Sequence, residues 1–251
     1  MDDDAVAAMN DDAVLANASY IYQDDGVEAA QAYLDAHLPD HTIQEEMSDP
    51  DSVLIETPKG AVLSIPGTNR PEDLLTDLAV VLGAERNPLL PRHPRFVATE
   101  QKYETLLERY GAVKTVGHSL GSTIGQDLAR RHGQEHTGFN PGSSPLGEAF
   151  ALPCGVMDCG ARPKIYAVAG DVISTSEQYL GYADFQYVPQ SGETAHSLAN
   201  FLPAHALDEP VGPPKVTMER PKAKVPMQAW RDGFCSAQPY HPLCATRGAP
   251  F

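Results

Sequence analysis

Apolar positions fall into short alternating runs separated by helical spacings, and this pattern predicts most of the elements. Ser52 to Thr57 and Ala61 to Pro66 are two apolar, β-branched runs around Pro58-Lys59-Gly60, which predicts a β-hairpin. Beyond Gly67-Thr68-Asn69-Arg70, Pro71 starts a helical pattern with Leu74, Leu75, Leu78 and Val81 on one face, closed by Gly83. Residues 84–99 carry three prolines and predict an irregular loop, either a plain connection or a functional loop such as a lid. Thr99 to Tyr110 predicts a helix capped by Thr99 and stopped by Gly111.

Ala112 to Val116 then predicts a buried strand, and Leu120, Ile124 and Leu128 a helix directly after it. Further short strands are expected at 137–140, 164–169 and 185–189, with a loop over 146–162 and a helix start or turn at 194–201. Residues 1–42 show alanine-rich helical spacing, expected to form a helical cap packed on the core. The middle of the chain alternates strand and helix. That order predicts an α/β fold with a mostly parallel central sheet and helices on both faces. A core over 43–207 and an extended arm over 208–251 complete the expected organisation. The arm holds eight prolines, with Trp230, Phe234 and Tyr240 available to anchor it.

Charge narrows the partners. Among 251 residues, 34 are acidic and 18 basic, a net charge of −16. A surface of that sign argues against nucleic acid and against anionic membranes. No stretch approaches the ~18 apolar residues that read as a membrane span. The opening Met1-Asp2-Asp3-Asp4 has neither the basic nor the apolar region of a secretory signal, so either an intracellular location or a mature form whose signal is missing is expected. Cys154, Cys159, Cys235 and Cys244 fit two small disulfide loops, one linked cluster or free thiols; their spacing does not suit zinc, and no metal or organic cofactor is expected.

The strand-to-helix junction carries the candidate chemistry. Gly117-His118-Ser119-Leu120-Gly121 is a Gly-x-Ser-x-Gly nucleophile elbow, in which the serine sits on a sharp turn. A serine hydroxyl needs a base, and the base needs an orienting acid, in the chain order Ser, Asp or Glu, His. Asp171 directly follows the strand 164–169 and is the candidate acid, with Asp184 the alternative. Only His196, His205 and His241 follow it. His196 is the candidate base, His205 the alternative, and His241 lies in the arm. His118 would project away from the serine and serve in packing or support. The backbone N–H groups of Leu120 and Thr68 are the candidate oxyanion donors, with the Thr68 hydroxyl a further one.

These pieces, as an ordered set, resemble the class 3 (fungal-type) lipases. Ile65-Pro66-Gly67-Thr68 followed by Asp73 to Leu78 is similar to that family's oxyanion strand and helix. Phe96 to Tyr110 resembles its next helix, Phe139 to Pro145 its following strand and loop, Gly170 to Ile173 its acid loop, and His196 its final histidine. Three departures stand out. Pro66 occupies a position where arginine is common, Ser122 stands in place of a second glycine, and the interval from Asp171 to His196 is short. The resemblance implies an α/β-hydrolase fold and a serine ester hydrolase acting through an acyl-enzyme, without a cofactor. Its substrate would be an acyl ester or lipid, with transient contact at a lipid interface. An inactive structural or binding relative is the rival, and a peptidase or acyltransferase on the same triad a third reading.

Overall fold

The computed structural model describes residues 1–68, 94–142, 163–171, 173–174, 183–192 and 194–206. The expected helix over 71–83, the loop over 146–162, the four cysteines and the C-terminal arm lie outside them. So does most of the expected lid. Met1–Pro214 forms one compact unit and Lys215–Phe251 a second; only the first contains described residues.

Two helices open the chain, α1 (Asp3–Asp25) and α2 (Val27–His37). Asp2 caps α1 by accepting from the Ala5 N–H at 2.8 Å, and Asp3 and Asp4 complement its positive end. Strands β1 (Thr42–Ile43), β2 (Val53–Thr57) and β3 (Gly60–Ile65) follow, with the hairpin formed by β2 and β3. Helix α3 (Pro94–Tyr110) leads to β4 (Val113–His118), α4 (Leu120–His132) and β5 (His136–Phe139). Strands β6 (Lys164–Val168) and β7 (Asp184–Val188) complete the sheet.

Among the described residues, the seven strands of the sheet lie in chain order. The β1–β2 and β2–β3 pairs are antiparallel, and every pair from β3 to β7 is parallel. The protein is therefore an α/β structure with a mostly parallel sheet. Successive strand residues feed opposite faces, as the pleat requires. Val53, Ile55, Val62 and Val116 pack with α1 and α2, whereas Leu54, Leu63, Ile65 and Val113 pack with α3 and α4.

Two elements differ from the sequence expectation. Helix α3 begins at Pro94 and not at Thr99, because a proline in the first helical turn forfeits only an N–H that would have no acceptor. Thr99 is an interior residue whose hydroxyl donates to the Arg95 carbonyl. The expected irregular segment thus loses residues 94–99 to the helix. Helix α1 is covered on more than the one face expected of a cap packed on the core: Ala13 to Ile21 is buried on every side. Ser64 Oγ donates to the Leu15 carbonyl, and Lys114 pairs with Asp12 at 2.6 Å, so α1 is fastened to β3 and β4. Among the described residues no helix is long and apolar enough to cross a membrane.

Candidate active site

The parallel strands end at one edge of the sheet, and the candidate residues meet there. Ser119 joins β4 to α4 at φ 55° and ψ −125°, a left-handed conformation that a non-glycine residue adopts only when its surroundings enforce it. The enforcement is visible. The Ser119 N–H donates to the Phe139 carbonyl at 3.0 Å, and its own carbonyl accepts from the Thr123 N–H at 3.2 Å and the Gly142 N–H at 3.3 Å. The turn also requires side chains to be missing. A Cβ on Gly121 would overlap the Ile65 carbonyl oxygen, and one on Gly117 would meet the Gly121 backbone.

Ser119 Oγ lies 2.9 Å from His196 Nε2, and His196 Nδ1 lies 2.8 Å from Asp171 Oδ2. The structure thus brings the three candidate triad residues into one hydrogen-bonded run. Asp171 sits in the turn after β6. Burial raises its pKa, but hydrogen bonds from His196, Ser174 Oγ at 2.6 Å and the Ile173 N–H, with the charge of His196, outweigh that and hold the carboxyl below its ordinary range. An ionised Asp171 fixes the proton of His196 on Nδ1 and leaves Nε2 to accept from Ser119.

The oxyanion candidates flank the serine. Leu120 is the first residue of α4, where backbone N–H groups have no intrahelical acceptor. Gly67, just before the half-buried Thr68, approaches so closely that a Cβ on it would fall 3.1 Å from Ser119 Cβ. The loop bearing Thr68 therefore borders the nucleophile directly.

The alternatives lie elsewhere. Asp184 begins β7 opposite Lys164, at the end of the sheet away from the elbow. His205 is exposed, its ring 5.4 Å from that of His37. His241 lies outside the described residues.

His118 is buried and bonds the backbone of His196. Its Nε2 is 2.8 Å from the His196 carbonyl, which can only accept, so Nε2 carries the proton. Burial lowers the His118 pKa to about 3 and keeps the ring neutral, leaving Nδ1 to accept from Tyr20 Oη at 2.8 Å. Two further residues carry no motif of their own. Asn140, at φ 40°, donates from Nδ2 to the Ala195 carbonyl and accepts at Oδ1 from the Val168 N–H, both at 2.9 Å. Asn200 accepts from the Ser191 and Gly192 N–H groups and donates to the Thr194 and Ser197 carbonyls. Four successive carbonyls, Thr194 to Ser197, are thus held by side chains. The one available signal for Asn140 was its type and place, since asparagine tolerates positive φ and here it directly follows a strand.

Among the described residues, one His/carboxylate group has ligand-type atoms within 4.8 Å of one another: Glu100, Glu104 and His132. His132 ends α4, whose length puts it ~18 Å from Ser119 at 1.5 Å rise per residue. Arg131 also lies 3.9 Å from Glu100, so a cation of the chain already faces that carboxylate. No protein-family model matches the chain, and no curated protein matches it.

Proposed function

We propose that the protein is a serine ester hydrolase of the α/β-hydrolase class, similar to the class 3 lipases, acting on an acyl ester or lipid. The observation that carries this reading is the Ser119–His196–Asp171 run, with contacts of 2.9 and 2.8 Å, mounted on a serine at positive φ between a strand and a helix. Such an arrangement has a specific chemical use. Ser119 Oγ attacks the ester carbonyl while its proton passes to His196 Nε2, and Asp171 stabilises the imidazolium through Nδ1–H. Negative charge develops on the carbonyl oxygen, where the N–H groups of Leu120 and Thr68 act as donors. The C–O bond to the alcohol then breaks, and His196 returns the proton to the leaving oxygen. Water, deprotonated by the same imidazole, attacks the acyl-enzyme and releases the acid.

Neither a metal nor an organic cofactor enters this scheme. The ordered likeness of the elbow, acid loop and final histidine to the class 3 lipases supports the same reading. Treatment with a fluorophosphonate tests it. The expected result is one adduct at Ser119 by mass, abolished in Ser119→Ala, strongly slowed in His196→Ala and unaffected in His205→Ala. Folded protein without an adduct would overturn the reading.

A further inference from the structure

The peptide unit between Pro66 and Gly67 is held at both ends. Its N–H donates to Tyr20 Oη at 2.9 Å, and its carbonyl accepts from Arg95 Nη2 at 2.7 Å. Arg95 comes from the first turn of α3 and Tyr20 from the buried part of α1, so two distant elements converge on one peptide. Its neighbours are informative. A Cβ added to Gly67 would fall 3.1 Å from Ser119 Cβ, and Thr68 is the next residue. The clamped peptide is thus the one that leads into Thr68, the candidate oxyanion donor.

The bonds continue past the peptide in one direction. Arg95 donates to Pro66 O, the Gly67 N–H donates to Tyr20 Oη, Tyr20 O–H donates to His118 Nδ1, and His118 Nε2–H donates to the His196 carbonyl. Each group is donor on one side and acceptor on the other, and a guanidinium stands at the head. Chains aligned in this way polarise one another, and their first bond is charge-assisted. Arg95 is itself anchored, with Nε 3.3 Å from Asp51 Oδ1 and its side chain 12% exposed.

We propose that Arg95 and Tyr20 are positioning residues that clamp the Pro66–Gly67 peptide and, through His118, tie the oxyanion loop to the backbone of the base. This rests on the hydrolase reading above. The two halves of the site, the donors for the oxyanion and the imidazole for the proton, are then held as one unit. Loosening any link loosens both.

The test uses the full chain with p-nitrophenyl ester hydrolysis, an alkyl boronic acid as tetrahedral analogue, and Ser119 labelling as reference. Tyr20→Phe keeps the packing volume and removes only the hydroxyl. Arg95→Ala removes the guanidinium, and Arg95→Lys retains a cationic donor. Tyr20→Phe and Arg95→Ala are expected to lower kcat by about 10- to 100-fold, the scale of a misplaced catalytic group, with KM within about twofold. Boronic acid affinity should fall in parallel. Arg95→Lys should recover part of the loss, and the double variant should lose less than the product of the two singles, because both act on one peptide. Wild-type labelling with unaltered kcat in folded Tyr20→Phe, or losses that multiply independently, overturns the clamp alone. An unlabelled wild-type protein overturns the hydrolase reading and the clamp together.

Discussion

Ser119 Oγ and His196 Nε2 stand 2.9 Å apart although 77 residues separate them in the chain, and the far nitrogen of the same imidazole rests on Asp171. The pair depends on which nitrogen carries the proton. Asp171→Asn preserves shape but presents an amide able to donate to Nδ1, which favours the tautomer that cannot accept from Ser119. We expect kcat for a p-nitrophenyl ester to fall on the order of 10³–10⁴-fold, the scale of losing the correct tautomer in a serine triad. Circular dichroism of the variant should match the wild type. Activity within tenfold of wild type would contradict a role for Asp171 in orienting the ring.

Asn140 holds the acid and base segments together by bonding Val168 on one side and Ala195 on the other. Asn140→Gly tolerates the positive φ and deletes the carboxamide, so its effect reports the bonds and not backbone strain. A loss of about 10- to 100-fold in kcat is expected from displacement of the base. Asn140→Asp keeps the acceptor for the Val168 N–H but sets a carboxylate oxygen against the Ala195 carbonyl, and should lose at least as much. Fluorophosphonate labelling rates measure both.

The sheet and the Ser119–His196–Asp171 hydrogen-bonded run were legible in the sequence for a common reason: each leaves a local mark. Strands β2, β3, β4 and β6 are dense apolar runs bounded by Gly or Pro, and Ser119 sits between glycines that its turn requires. Asp171 follows a strand, and few histidines follow Asp171. The start of α3 was missed because Pro94 looks like another loop proline, although it suits the first helical turn. Tyr20, Arg95 and Asn200 left no mark at all, and Asn140 only its residue type directly after a strand. Each acts by bonding backbone groups, distant in sequence for Tyr20, Arg95 and Asn140 and within nine residues for Asn200, and such a partner has no residue type to announce it. The burial of Ala13 to Ile21 all round was hidden similarly, since a helix covered on every side shows no stripe.

Two wholly buried histidines predict how stability responds to acid. Burial lowers both His118 and His136 from the ordinary 6.5 to about 3. The unfolded chain takes up a proton at each below pH 6.5, while the native fold excludes both until about pH 3. Their folded pKa values are depressed, so the stability tied to the neutral rings is complete above 6.5 and is lost progressively as pH falls toward 3. Each ring gives a slope of about 1.4 kcal/mol per pH unit, which makes the combined loss about 3–4 kcal/mol by pH 5. Asp171, also depressed, acts in the same sense at lower pH. Urea unfolding at pH 7.5 and pH 5 measures this. His136→Asn, which removes one of the two rings, should flatten the pH dependence by roughly half the two-histidine slope; an unchanged dependence would refute the assignment.

The close approach at the elbow gives a contrast between two glycines. A Cβ on Gly121 would overlap the Ile65 carbonyl oxygen and lie 2.7 Å from the Pro66 carbonyl oxygen, and neither is a side chain that can swing aside. Helix α4 would have to move away from the end of β3, the strand that leads into the loop bearing Thr68. At Gly133, which ends the same helix at φ 65°, a Cβ meets nothing within 4 Å, and the only cost is the left-handed backbone, about 1–2 kcal/mol. Gly121→Ala is therefore expected to lose about 3 kcal/mol or more, beyond ordinary overpacking, together with Ser119 reactivity. Gly133→Ala should lose less than that and label at the wild-type rate. Urea midpoints and fluorophosphonate labelling of the two variants decide the matter: equal stability losses would mean that α4 does not rest on the β3 carbonyls, and the elbow geometry would have to be redrawn.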